Sequence, residues 1–283
     1  MLIESRATAK ALASFPVALD PPPTAVPDSE QDFVDHALHD PWFGAKNAYI
    51  LNRCWGYPVA SPPCPSWTPP PPVLGPPAPR PPNDPALEAK ALTFEAMEKA
   101  ARKSGRPVML SLPGMPDAVA ILGATPEELE HVRHALESIP THARGFMRDI
   151  KCISVASCEA FRGEDGGLST DTTGCYDAER LVLNRWQLNR HQRVVAADAP
   201  DPVRAEARRQ DAEDWFNCIT HELCHVCDHH LHNPSEATDS PMGHGTWYTH
   251  YAWTTQLKPE DMAEGYALLC RQRWDVMHHH VTP

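Results

Sequence analysis

The chain contains the run His221-Glu222-Leu223-Cys224-His225, an H-E-x-x-H pattern, and this run narrows the possible folds most sharply. On a helix, residues i and i+4 stand one turn apart on the same face. His221 and His225 can therefore aim imidazole nitrogens at one Zn2+, while Glu222 projects beside them to work on a zinc-activated water. The surrounding residues agree with a helix. Trp215, Ile219, Leu223 and Val226 recur at helical spacing and predict a buried face next to the ligand face. The implied chemistry is hydrolysis of a peptide bond with Glu222 as general base. The bland alternative, a surface helix with incidental histidines, leaves this apolar stripe unexplained.

Composition removes other classes. A net charge of −12 without clustered Lys/Arg argues against direct nucleic-acid binding. No run of about twenty apolar residues exists, so no membrane span is expected. The 31 prolines gather in the N-terminal part, above all from Pro62 to Pro85. That stretch reads as a semi-rigid polyproline linker, with Asp32-Phe33-Val34 and Trp42 to Leu51 able to fold locally or dock. The 9 cysteines read as mostly free, buried thiols, which favours a reducing intracellular compartment. Cys224 and Cys227 form a C-x-x-C on the ligand helix, but both histidines need the other face. His278-His279-His280 reads as a tail that binds metal only adventitiously.

Along the chain, Leu87 to Lys103 reads as one helix ended by Gly105. Val108 to Leu112 and Ala118 to Leu122 read as strands around the Pro113–Pro116 turn. Thr125, Pro126 and Glu128 form a capping box that opens a helix to about Ser138. Ile150 to Ala156 and Leu181 to Asn184 read as strands, and Leu181 to Asn184 offers an edge for an extended substrate. A long helix starts at Asp201-Pro202. The expected organisation is a Pro-rich, largely irregular region over 1–86, an α+β domain over 87–275 with a small mixed sheet over the H-E-x-x-H helix, and a tail over 276–283.

A catalytic zinc site needs a third protein ligand. Glu260 and Glu264 lie one turn apart in the helix opened by Pro259, so one can bind metal while the other holds a ligand histidine. The run Glu260 to Ala267, together with His221 to His229, resembles the lethal factor-type metallopeptidases, which include the Pro-Pro endopeptidases. Leu136–Pro140, Ile150–Ala156 and Gly174–Leu183 resemble the elements that precede the zinc helix there. The likeness spans 127–275 in short patches. It implies a zincin-like fold, a peptide or protein substrate, Zn2+ held by His221, His225 and Glu260, and Glu264 and Asp228 as supporting carboxylates. A second donor to the oxyanion is needed beside zinc, and Tyr248, Tyr251 and His250 are the candidates; the resemblance implies a tyrosine upstream of the third ligand, at a spacing that none of them matches. A second resemblance competes. Gly243 to Ala252 is similar to the third-ligand segment of SprT/Spartan-type proteases, which work on DNA-bound proteins, and implies His244 as third ligand. Mitochondrial inner-membrane assembly peptidases resemble Gly174-Cys-Tyr-Asp177 and His221 to His229 only. A zinc ion that merely staples an interaction protein is the non-catalytic alternative.

Overall fold

Cys152–Ala156 and Leu181–Asn184 are near-continuous apolar runs, the pattern of strands covered on both faces, and they form the centre of the fold. The computed structural model describes residues 30–40, 44–59, 84–163, 166–177, 179–231 and 259–279. Within these, a mixed sheet has the order β2 (Val108–Leu110), β3 (Val119–Leu122), β4 (Cys152–Ala156), β8 (Arg180–Asn184), β7 (Gly174–Asp177). β3, β4 and β8 are parallel, and β2 and β7 close the two ends antiparallel. A small second sheet joins β1 (Ala91–Leu92), β5 (Ala160–Arg162) and β6 (Leu168–Ser169).

Helices cover both faces. Preceding them, α1 (Glu30–Leu38) and α2 (Gly44–Tyr49) run into a π-helical turn at Ile50–Cys54, and α3 (Pro85–Glu88) is a single turn. On one face α4 (Phe94–Lys103) buries Phe94, Met97 and Ala101 against Cys152, Ala156 and Val182. On the other lie α5 (Pro126–Glu137), the long α8 (Asp201–Leu231) and α9 (Pro259–His279). Two short helices, α6 (Arg185–Leu188) and α7 (Arg190–Val194), lead from β8 toward α8. The capping box opens α5 as expected: Thr125 Oγ1 accepts from Glu128 N and Glu128 returns a carboxylate to Thr125 N at 2.7 Å. Trp215, Ile219, Leu223 and Val226 are all fully buried along α8.

Four expectations need correction. The single helix over Leu87–Lys103 is broken. Thr93 caps α4 through Ala96 N, and Ala91–Leu92 leaves helical geometry to pair with Ala160–Phe161. A side-chain cap and a long-range ladder outweigh the local periodicity there.

Residues 30–59 are not an irregular appendage. Phe33, Ile50, Leu51 and Trp55 enter the same core as Trp215 and Tyr266. Burying each of the aliphatic and phenyl side chains stabilises by about 1.5–3 kcal/mol. Arg273 of α9 fastens this segment from outside, donating to Glu30 Oε1 at 2.9 Å and to Ser138 O at 3.0 Å. Tyr57 donates to the same Glu30 carboxylate. The core boundary expected at residue 86 therefore does not exist for 30–59.

The tail expected from 276 is also helical through His279, with Val276 buried and His278 stacked on Trp274 at 3.6 Å. Finally, β8 is paired with β4 on one side and β7 on the other. Its hydrogen-bonding groups are spent within the sheet, so Leu181–Asn184 cannot accept a substrate strand.

Candidate metal centre

The apolar stripe of α8 fixes the rotation of that helix about its axis. With Leu223, Cys224, Val226 and Cys227 buried, the neighbouring face carries His221, Glu222 and His225, all partly exposed. The C-x-x-C pair thus faces the core: Cys227 Sγ lies 3.8 Å from Cys54 O. Seven of the eight described cysteines are buried.

The two imidazoles converge. His221 Nε2 and His225 Nε2 are 3.3 Å apart, with ring centroids at 5.1 Å and planes at 74°. Two nitrogens each about 2.0–2.1 Å from one tetrahedral ion lie about 3.3 Å apart, so this separation fits a shared Zn2+ without rearrangement. The same distance also suits a long hydrogen bond between the rings in the metal-free chain.

Glu222 faces the last strand of the sheet. A Cβ built on Gly174 of β7 would come within 3.2 Å of Glu222 Oε1 and 2.7 Å of Cys218 Sγ. Cys218 is buried here. Burial first, then the Glu222 carboxylate, raise its thiol far above the ordinary range, so it stays protonated.

Helix α9 packs on α8. Arg271 pairs with Glu213 at 2.7 Å, and Trp274 packs on Phe216 with centroids at 6.4 Å. Glu264, in the second turn of α9, is partly buried. Glu260 lies in the first turn of α9 and Asp228 in the last turn of α8; the side chains of both lie outside the described residues. So do His244, Tyr248, His250 and Tyr251 altogether.

One cluster escaped the sequence reading. Among the described residues, His191, Asp211 and Asp214 are the set that brings three possible ligand atoms within 4.8 Å of one another. Asp211 and Asp214 sit one turn apart on α8, and the only sequence signal is their i, i+3 spacing. One of the two carboxylates is already fully engaged. Asp211 is buried and accepts His191 N at 2.9 Å and Gln192 N at 3.0 Å, one on each oxygen. It thereby supplies the cap that α7 lacks locally. Asp214 Oδ2 lies 3.1 Å from Arg190 Nη2 and 3.3 Å from His191 Nε2. Arg190 thus already sets a positive charge beside Asp214, although the buried Oδ2 accepts no hydrogen bond among the described residues.

Among the described residues no helix is long and apolar enough to cross a membrane. No family model matches the sequence, and no curated protein and no solved structure matches the chain.

Proposed function

We propose that the chain is a zinc-dependent metalloendopeptidase with a zincin-like arrangement. The observation that carries this reading is the pair of Nε2 atoms 3.3 Å apart on successive turns of α8, with Glu222 beside them. His221 and His225 would hold the ion. Glu260 completes the set in this reading, with Glu264 one turn on to orient a ligand histidine through its outer nitrogen. Zinc bound there supplies Lewis acidity, making a water more acidic and drawing charge from the scissile carbonyl. Glu222 takes the proton of the attacking water and returns it to the leaving amine. The substrate class is a peptide or protein, positioned beside β7, the strand that ends the sheet next to Glu222.

The zinc-loaded chain and Glu222→Gln are compared on a peptide library. Cleavage by the native chain, lowered about 10²–10⁴-fold in the variant with zinc retained, supports the reading. Equal inertness of both, with one zinc bound in each, converts the site to a structural staple. Zinc content of Glu260→Ala against His244→Ala identifies the third ligand. Loss in the histidine variant alone, with cleavage stimulated by DNA, turns the assignment to the SprT type.

A further inference from the structure

We infer that Gly174 is a positioning residue for the Glu222 carboxylate, and that the absence of a side chain there holds this base in place; the inference rests on the metallopeptidase reading of the same site. The backbone of Gly174 does not adopt a positive φ, unlike Gly56, Gly114, Gly123 and Gly166. A side chain at 174 is therefore excluded by what it would strike. An added Cβ would lie 2.7 Å from Cys218 Sγ, 3.1 Å from Glu222 Cγ and 3.2 Å from Glu222 Oε1, all inside ordinary contact distance.

The strand cannot back away to make room. Gly174 is in register with Leu183, and the residues just before it are tied to Asn184. Asn184 N donates to Thr173 O at 2.8 Å, and its Nδ2 donates to Thr172 O at 3.0 Å. The same buried amide is itself anchored. Its Oδ1 accepts from Cys158 N and Trp186 N, and its Nδ2 also donates to Cys158 O. On the other side, α8 is held by Trp215, Ile219 and Leu223, all fully buried. With strand and helix both fixed, a methyl at 174 displaces the two side chains between them. Cys218 is short and buried, so Glu222, longer and partly exposed, is the one that moves. The three heavy atoms nearest to a Cβ at this position belong to Cys218 and Glu222 and none to His221 or His225, so metal binding is expected to hold while the base shifts.

The test uses the zinc-loaded full chain, with acetohydroxamate as probe. This molecule chelates zinc through two oxygens and hydrogen-bonds to a neighbouring carboxylate, so its affinity reports where that carboxylate sits. Gly174→Ala, Gly174→Val, Glu222→Gln and the Gly174→Ala, Cys218→Ala pair are compared for zinc content, Tm and acetohydroxamate Kd. Zinc content is expected to hold at the native value. Gly174→Ala weakens acetohydroxamate by about tenfold, the scale of one lost charge-assisted hydrogen bond, and Gly174→Val falls to the level of Glu222→Gln. Adding Cys218→Ala restores the Tm of Gly174→Ala but not the affinity, because the contacts with Glu222 remain. Native affinity in Gly174→Ala, or recovery of affinity together with Tm in the pair, overturns the assignment and leaves packing alone. A chain that shows the expected pattern yet cleaves no peptide removes the peptidase and keeps the positioning role. A chain that binds no zinc removes both.

Discussion

Two histidine–carboxylate clusters lie along helix α8: Asp211 and Asp214 toward its start, with His191 supplied by α7, and His221, Glu222 and His225 toward its end. From Asp211 to His221 the helix rises about 15 Å. By proximity the first is the better metal site, since it brings three possible ligand atoms within 4.8 Å of one another. The Asp211 lone pairs are nevertheless committed. Asp211 gives both oxygens to backbone N–H groups of α7, and Asp214 lies beside Arg190 as a charge pair whose buried Oδ2 accepts no hydrogen bond among the described residues. That cluster is a clamp that docks α7 on α8. The second cluster directs two ring nitrogens at one point between them, which a clamp does not need. Proximity of ligand-type side chains is therefore a poor guide to a metal site unless their hydrogen-bond commitments are counted.

The largest expected effect separates the two ends of the helix. His225→Ala should lower zinc affinity by more than about 10²-fold, because a binding energy of about 10–16 kcal/mol is shared among few ligands. Asp211→Ala should leave one zinc per chain. Metal analysis after dialysis reads both. Two zinc ions in the native chain, one of them lost with Asp211, would collapse the contrast. Asp211→Ala should instead lower stability by about 2–4 kcal/mol, since two hydrogen bonds to a buried carboxylate vanish and α7 loses its cap. Urea unfolding measures it. A change below about 0.5 kcal/mol would mean that α7 does not depend on the clamp.

How far each cluster could be read beforehand follows from the range of its interactions. His221, Glu222 and His225 lie within one turn, and the stripe from Trp215 to Val226 is local too, so both are visible as spacing. Thr125 and Glu128 are legible for the same reason. The clamp joins His191 to Asp211 across a connection, and nothing local marks it. The close approach of Gly174 to Glu222 depends on the register of β7 on β8 and on how α8 crosses the sheet. Likewise Phe33, Ile50 and Trp55 reach the core only because α9 and Arg273 meet them from the far end of the chain. The prolines nearby suggested a linker, and composition does not report partners so distant in sequence.

A smaller effect tests the clamp from its other carboxylate. Burial, opposed by Arg190 and His191, raises the Asp214 carboxyl above its ordinary value. The folded state thus holds this proton more tightly than the unfolded chain does, and the contribution of Asp214 to stability grows as pH falls through its folded value. Asp214→Asn mimics the protonated form and should change stability by less than about 1 kcal/mol at neutral pH. A loss as large as that of Asp211→Ala would show that an ionised Asp214 is essential, as a metal ligand would be.

The smallest effect comes from a histidine that belongs to neither cluster. His131 of α5 stacks on Trp215 with centroids at 5.7 Å and planes at 23°. Burial lowers its pKa below 6.5, against the opposing pull of Glu127, Glu128 and Asp211 and with a push from His134. The neutral ring is the one the fold accepts. Its contribution is fully present above the unfolded value and is lost as pH falls through the depressed folded value. Tm should therefore decline from about pH 7 to about pH 5 even in chain stripped of metal, where zinc release by protonated His221 and His225 cannot contribute. His131→Phe keeps an aromatic ring against Trp215 without the proton, and should flatten part of that slope. An unchanged slope in the metal-free variant would remove His131 from the acid sensitivity of the fold.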